Sequence, residues 1–173
     1  LRAAAGDASL GGSVEFEARR IIHEKARRAA IEELKSETWR VRQRLEAEKS
    51  ASKRGRETDI KFGAGGMLDV YFAVRYLQLR DDVADEGEDR STRVTLEKLE
   101  SAGSLSQEDF EALSSGYEIL RVVDHQLRLI AGKKPTLPSA DHPLFGEIAT
   151  RLKFDSAEAL HEALTTHMRA IRG

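Results

Sequence analysis

The spacing of apolar side chains predicts one long helix over residues 13–49, near the start of the chain. From residue 13 to residue 49, apolar positions recur at steps of three or four, with one seven-residue gap and no proline. These positions are Val14, Ala18, Ile22, Ala26, Ala30, Leu34, Val41 and Leu45. Because the stripe is narrow and rich in alanine, we expect this helix to pack closely against another one. If it breaks anywhere, the break is predicted near Ser36–Trp39.

Five shorter helical patterns follow along the chain. They cover about 67–80, 94–103, 106–132, 143–153 and 156–172. Ser106 marks the clearest start, because its side chain can cap the amide of Asp109. Ser156 is placed to cap the last helix, and Gly103 and Gly132 stand where helices commonly end. The polar segments 49–58 and 81–92, one basic and one acidic, are predicted to be loops, the acidic one mobile.

Together these patterns predict an all-α fold, a helical bundle of five to six helices with one long N-terminal helix and mostly antiparallel packing. No pair of strands is predicted, and Thr58–Phe62 is the one segment with an extended pattern. Residues 1–12 end in the turn sequence "DASLGG". We interpret them as the tail end of a preceding domain in a longer protein, so that residues 13–173 form a single helical-bundle domain.

The composition narrows the class of protein. The chain has 173 residues, of which 40% are hydrophobic and 34% are charged, as expected for a globular protein with long exposed helices. A formal net charge of −2 gives no overall field that would attract nucleic acid or an acidic membrane. The absence of cysteine excludes disulfides and thiolate chemistry and favours a cytoplasmic location. No apolar run approaches the ~20 residues of a membrane span.

The segment "DIKFGAGGMLDVYF", Asp59–Phe72, carries the candidate chemistry. Successive amides in a glycine-rich turn, followed by a helix N-terminus, can form an anion site. Lys61 would add a positive charge suited to phosphate. The alternative is a purely structural turn, since glycine permits sharp turns and close packing. A Walker loop is excluded because Met67 stands where that motif requires Lys, and no buried strand precedes the glycines as a dinucleotide fingerprint requires. The predicted cofactor-binding residues are Lys61, Gly63, Gly65, Gly66 and Asp69.

Two other groups of polar residues have weaker interpretations. Glu15 and Glu17 follow Gly-Ser as in the metal-binding strand of nucleotidyltransferases, but the surrounding helical period places them on different faces. The second group is a patch of Asp124 and His125 with Arg121 and Arg128 one turn to either side. It could orient the glycine segment or face a partner domain, or it could be a solvated helix face. The histidines lack metal-ligand spacing, so no metal ligand and no catalytic residue is assigned within this chain.

The glycine segment also resembles a known family. "DIKFGAGGMLDVYFAVRYLQL" is similar to the motif that follows the catalytic domain of glutamine synthetase adenylyltransferases and, more distantly, of PII uridylyltransferases. The matching residues are Lys61, Gly63, Gly65, Gly66, Asp69 and Phe72. The stretches "TLEKLESAGSLSQEDFEALSSGYEILRVVDHQLRL" and "TLP", before "LFGEIATRLKF", resemble later blocks of the family, and "LRAAAGD" resembles the end of its catalytic domain.

This resemblance implies a helical domain that completes one half of a two-headed enzyme. The full-length protein would transfer AMP from ATP, with magnesium, to a tyrosine of glutamine synthetase, or remove it by phosphorolysis, in nitrogen regulation. Its nucleotidyltransferase domain would hold the catalytic carboxylates, so this chain alone would be inactive and would bind no cofactor. The implied partners are that domain, glutamine synthetase and a PII-type signal protein, with no nucleic acid and no membrane. Which half, adenylylating or deadenylylating, stays open.

Four positions depart from the family pattern. The family usually has a polar residue at Ala64 or Leu68, a glutamate at Tyr71 and an arginine at Gln126. A member with reduced or redirected activity is therefore one alternative. A second alternative is a non-catalytic interaction module, a helical bundle that docks a PII-type signal protein or glutamine synthetase without contacting a nucleotide.

Overall fold

Seven helices and two short strands follow one another in the computed structural model, which describes residues 5–49, 57–84, 89–132 and 136–173. The helices are α1 (Ala8–Arg28), α2 (Ile31–Lys49), α3 (Met67–Arg80), α4 (Thr92–Ser101), α5 (Gln107–Ala131), α6 (Pro143–Arg151) and α7 (Ala157–Arg172). The strands are β1 (Thr58–Asp59) and β2 (Thr136–Leu137). The predicted all-α bundle is confirmed. Most of the basic loop and part of the acidic loop lie outside the described residues.

The predicted long N-terminal helix is two helices. The first begins at Ala8 because the carboxylate of Asp7 accepts the amide of Leu10 at 2.8 Å, so the helix runs through the glycines that were predicted to form a turn. It ends at Ala29, whose backbone is extended, and not near residues 36–39. Two alanines have no intrinsic tendency to break a helix. The break therefore reflects tertiary structure, in which α1 and α2 each pack against α3.

The core consists of two apolar clusters that meet along α5. One lies between α3, α4 and α5, and the other lies between α5, α6, α7 and the short strands. The first cluster contains Val70, Val74, Leu77, Leu96, Leu99 and Leu113. The second contains Ile60, Leu120, Val123, Leu127, Leu137, Phe145, Ile148, Ala149, Leu160 and Leu164. Since α5 contributes to both, it is the central helix of the bundle.

Serine caps fix the starts of three of these helices. The hydroxyl oxygen of Ser106 accepts the amide of Asp109 at 3.1 Å, which confirms the predicted start of α5. Ser156 caps α7 in the same way, again as predicted, and Ser91 caps α4. These caps satisfy amides that a helix cannot pair internally, so the sequence specifies where the chain enters each helix.

The two strands form a minimal antiparallel sheet. Thr58 pairs with Leu137 and Asp59 pairs with Thr136. The extended pattern predicted at Thr58–Phe62 is confirmed for its first two residues, but the prediction that no strands pair is wrong. The partner strand lies in the proline-containing segment before α6, where no local pattern indicated a strand. Among the described residues, no helix is both long and apolar enough to cross a membrane.

Candidate functional site

The glycine segment begins with a tight turn built by the buried Asp59. Its carboxylate accepts the amide of Lys61 at 3.0 Å and the amide of Phe62 at 2.8 Å. Its carbonyl oxygen accepts the amide of Gly63 at 3.1 Å. An aspartate that bonds the backbone two and three residues ahead reverses the chain. The sequence analysis did not assign this role, although an aspartate four residues before the first glycine of a turn is a recognisable signal.

Two of the glycines are required by their close neighbours. Gly65 has φ +70°, and a Cβ added there would lie 1.9 Å from the carbonyl oxygen of Met168 in α7. A Cβ on Gly63 would lie 2.4 Å from the carbonyl oxygen of Asp59. Real Cβ atoms do not approach other atoms this closely. The segment therefore lies directly against the C-terminal helix, and the structural role of these glycines is real.

The amides of the three predicted glycines donate hydrogen bonds inside the segment. The amide of Gly63 donates to the carbonyl oxygen of Asp59, and the amide of Gly66 donates to the carbonyl oxygen of Gly63 at 3.0 Å. The amide of Gly65 donates to the carboxylate of Asp69 at 2.5 Å. All three glycines are buried. These amides are therefore paired within the segment, and the assignment of the three glycines to cofactor binding stays a prediction. Nucleotide contact by this segment stays a prediction, and it now rests on Lys61.

Asp69, in the first turn of α3, is the point where the segment is attached to two other helices. Its Oδ1 accepts the Nε–H of Arg42 from α2, and both of its oxygens accept Nη1 of Arg172 from α7, at 3.1 and 2.9 Å. The side chain is only 9% exposed. Asp69 was predicted to be a cofactor-binding residue, and this stays a prediction. The structure shows it holding two guanidinium groups and the amide of Gly65.

Arg42 is a buried residue next to the glycine segment that sequence reasoning missed. Its side chain is 1% exposed, and its Nη2 donates to the carbonyl oxygens of Phe62 and Gly63 at 3.1 and 2.9 Å. Its Nη1 lies 3.2 Å from a carboxylate oxygen of Glu46. Buried charges of this kind are tolerated only when they are paired and hydrogen-bonded. In the sequence, nothing separates Arg42 from the neighbouring exposed arginines of the same helix.

Lys61 lies beside a groove along α5. One cavity of about 430 Å³ is lined by Lys61 together with the polar patch of α5, and a second cavity of about 460 Å³ continues from it. The two cavities share Tyr117, Arg121 and His125. The glycine segment and the Asp124–His125 patch, which the sequence analysis singled out separately, therefore meet in one groove.

Positive charge predominates in this groove. Arg128 is paired with Asp124 at 2.7 Å, the guanidinium of Arg121 lies 5.8 Å from the ring centre of Tyr117, and the ammonium of Lys61 lies 5.3 Å from the ring centre of Phe62. One carboxylate thus faces three cations in the part of the groove next to the glycine segment. Such an arrangement can bind an anion, and guanidinium and ammonium groups suit phosphate.

The described residues contain no group of three His, Asp or Glu side chains that could hold a metal ion. Glu15 lies in α1 and is bonded to Arg19 and Arg90, whereas Glu17 is bonded to Arg20. The helical prediction for these two glutamates is confirmed, so they do not form the paired carboxylates of a nucleotidyltransferase strand.

The fold and the site together define a helical domain that presents a cationic groove beside a rigid glycine-rich turn. A family model described as "GlnD PII-uridylyltransferase" matches residues 18–173. The chain belongs to this family, and the predicted resemblance is confirmed. The departures at Ala64, Leu68, Tyr71 and Gln126 do not prevent the match.

Curated relatives carry a more specific name. A protein of Mycobacterium avium (strain 104) named "Bifunctional glutamine synthetase adenylyltransferase/adenylyl-removing enzyme" is 38% identical over 142 residues, which are 81% of this chain and 14% of that protein. Proteins of the same name from Mycobacterium leprae (strain TN) and Neisseria meningitidis serogroup A / serotype 4A (strain DSM 15465 / Z2491) are 36% and 31% identical over 81% and 69% of this chain. The chain spans about a seventh of these relatives.

Proposed function

We propose that this chain is the helical domain of a bifunctional glutamine synthetase adenylyltransferase and adenylyl-removing enzyme, and that Lys61 contacts a phosphate group of the nucleotide. In this proposal a separate nucleotidyltransferase domain of the full-length enzyme binds ATP and magnesium and supplies the catalytic carboxylates. The reaction transfers AMP to a tyrosine of glutamine synthetase or removes it by phosphorolysis. A PII-type signal protein is the proposed regulator, and the cytoplasm is the proposed location.

The observation that carries this proposal is the meeting of Lys61 with Arg121 and Arg128 in one groove. The chain as a whole has a net charge of −2, so this local excess of cations is not a consequence of overall composition. The residues present fit a phosphate chain, which takes charge-assisted hydrogen bonds from ammonium and guanidinium groups. They do not fit magnesium, because no described carboxylate cluster is available to hold it.

The turn around Lys61 would give the lysine a fixed position. The carboxylate of Asp59 binds the backbone at Lys61 and Phe62, and Arg42 binds the next carbonyl oxygens. A cation held on a rigid turn loses less conformational entropy when it binds a ligand, which favours affinity and correct placement. In this proposal the glycines act by holding the turn, and Lys61 acts by charge.

The test is a Lys61→Ala substitution in the full-length enzyme. We expect AMP transfer to fall by roughly 100- to 1,000-fold, as for loss of one preorganised donor to the reacting group, with an unchanged circular dichroism spectrum and melting temperature. Lys25→Ala, which removes an exposed lysine of α1, is the control and should leave the rate unchanged. Equal rates for the Lys61 variant and the control would overturn the phosphate role.

The interaction module is the second candidate, and the exposed apolar surface of α1 and α2 favours it. Eight large hydrophobic residues of these two helices are exposed, and α1 has no buried residue. They are Leu10, Val14, Phe16, Ile21, Ile22, Ile31, Trp39 and Val41. An apolar surface of this kind often marks a protein interface. If docking is the whole function, Val14→Glu will abolish binding of glutamine synthetase or a PII-type protein in a pull-down, and Lys61→Ala will have no effect on any activity.

A further inference from the structure

A separate cavity lies where α2, α3 and α7 meet, on a different face of α3 from the cationic groove. Its volume is about 260 Å³, and its walls include the rings of Trp39, Phe72 and Tyr76. Pockets for drug-sized ligands usually measure ~300–1,000 Å³ and are mainly apolar with a few polar groups. The size and lining of this cavity therefore suit a smaller molecule with one or two rings.

Among the described residues, one positive charge beside this cavity is left without an ion-pair partner, that of Lys35. Lys35, Arg42 and Arg172 line the cavity, and Asp69 is the one carboxylate among the lining residues. The two arginines share Asp69, and both also lie close to the carboxylate of Glu46. Within the described part of the chain, no ion pair is found for Lys35. An anionic group on a ligand would be attracted here, whereas a cationic one would be repelled.

The indole ring of Trp39 is stacked on one face by the planar guanidinium of Arg172. The guanidinium of Arg172 lies 4.6 Å from the ring centre, and Trp39 is still 47% exposed. Stacking of a planar cation on tryptophan is favourable, and an aromatic ring can use the remaining aromatic surface of the cavity in the same way. The site thus offers planar aromatic walls next to positive charge.

We infer that this cavity binds a small aromatic anion, a carboxylate with one or two rings. The ring would lie among the aromatic walls, and the carboxylate would lie toward Lys35 and Arg172. This inference goes beyond the proposed function, because the cavity shares none of its lining residues with the groove that contains Lys61.

Trp39 is the one tryptophan of the chain, so its indole N–H gives a single cross-peak in a ¹⁵N-correlated NMR spectrum. Titration of the chain with 2-naphthoate should shift this cross-peak in a saturable manner. The neutral analogue 2-naphthamide should bind at least about 5-fold more weakly, since it lacks the charge. An indole cross-peak that does not move to saturation, or equal affinities for the two compounds, would overturn the inference.

A pair of charge reversals on α2 tests the position of the site. Lys35→Glu should weaken 2-naphthoate binding by roughly 5- to 10-fold, whereas Lys49→Glu, an equal change on the same helix outside the cavity, should have no effect. Both lysines are exposed, so both variants should keep the melting temperature of the parent chain. Equal effects of the two substitutions would contradict the assignment. Lys61→Ala should leave 2-naphthoate binding unchanged, which separates this test from that of the proposed function.

Discussion

The guanidinium of Arg42 connects pieces of chain that are far apart in sequence. It reaches from α2 to the carbonyl oxygens of Phe62 and Gly63 and to the carboxylate of Asp69 at the start of α3. The bond to Gly63 is buried, and the bonds to Phe62 and Asp69 are partly buried. Because a buried acceptor without a donor is costly, the turn that carries Lys61 depends on this one side chain.

Replacing Arg42 with methionine should therefore destabilise the fold. Asp69 would keep Arg172 as a partner, so we expect a loss of about 3 kcal/mol in the free energy of unfolding, the lower end of what breaking a buried ion pair costs. Urea denaturation measures this loss. Arg44→Met is the matched control on the same helix, where the arginine is 71% exposed and pairs with Glu48, and it should cost less than about 0.5 kcal/mol. Similar losses for both variants would show that Arg42 contributes no more to the free energy of unfolding than an exposed arginine does.

Gly65 and Gly103 form a natural pair for testing close packing against α7. Their φ angles are +70° and +72°, so alanine is strained equally at both. A Cβ at Gly103 meets nothing within 4 Å, whereas one at Gly65 would lie 1.9 Å from the backbone of Met168. We expect Gly103→Ala to cost about 1–2 kcal/mol and Gly65→Ala several kcal/mol more, measured by thermal denaturation. If both substitutions lower the free energy of unfolding equally, the glycine segment does not pack closely against α7 in solution.

At the scale of single residues, the sequence indicated which segment has special backbone geometry but not which residues contact it. The spacing of Lys61, the glycines and Asp69 was sufficient to single them out, because special backbone geometry requires glycine. That Asp69 faces Arg42 and Arg172 could not be predicted, since these residues come from helices 27 and 103 positions away. Such contacts depend on how the helices pack, and periodicity carries no information about that.

At the scale of elements, α1 is unusual because several of its contacts with the rest of the protein are made by polar side chains. Its contacts with the remainder of the chain include Glu15 with Arg90 and His23 with Asp82 at 2.8 Å. Its apolar residues are left largely exposed, and none is buried. Polar contacts therefore contribute to the attachment of α1, and such contacts at a protein surface are weaker and more sensitive to solution conditions than apolar packing.

The pair of His23 and Asp82 makes this attachment sensitive to pH. The hydrogen bond from His23, and secondarily Arg27, holds the pKa of Asp82 below its ordinary value of 3.8. Because the folded-state pKa is lowered, the stabilisation is fully present above pH 3.8 and is lost as the pH falls through the lowered value. Asp82 is 41% exposed, so the contribution is small, about 0.2–1 kcal/mol.

Asp82→Asn should thus lower the free energy of unfolding by about 0.2–1 kcal/mol at ~pH 5. Once the pH is well below the ordinary pKa of aspartate, the substitution should have no effect on it. Urea denaturation of the variant and the parent chain across this range measures the difference. Asp155→Asn, at an exposed aspartate, is the control and should show no such dependence. A difference that stays constant as the pH falls would contradict the ion-pair attachment of α1.

Element boundaries were predictable where a side chain marks them. The cap at Ser106 and the glycine at the end of α5 were both identified from sequence, because their chemistry is local. The break after α1 was placed about seven residues too late, since no local signal stands at Ala29. The pairing of β1 with β2 was missed for the same reason: a two-residue strand has no period to detect.

At the scale of the whole molecule, two apolar clusters share α5 and one further residue. Ile171, near the end of α7, packs against both clusters, and a Cβ on Gly116 of α5 would lie 2.7 Å from its Cδ1. The next residue, Arg172, is bonded to Asp69. The C-terminal turn of α7 therefore connects the two halves of the core with the candidate site, and we expect α3–α7 to unfold as one unit.

Ile171→Ala is expected to weaken this connection as well as the core. The loss should be about 2 kcal/mol, and the fluorescence of Trp39, which stacks on Arg172, should change at a lower urea concentration than the far-UV circular dichroism. In the parent chain the two transitions should coincide. Ile119→Ala removes the same atoms from a residue of α5 that packs against one cluster, so it should lower stability while the transitions stay coincident. Coincident transitions in the Ile171 variant would mean that the clusters are joined through α5 alone, and that the end of α7 is not needed to couple the core to the glycine segment.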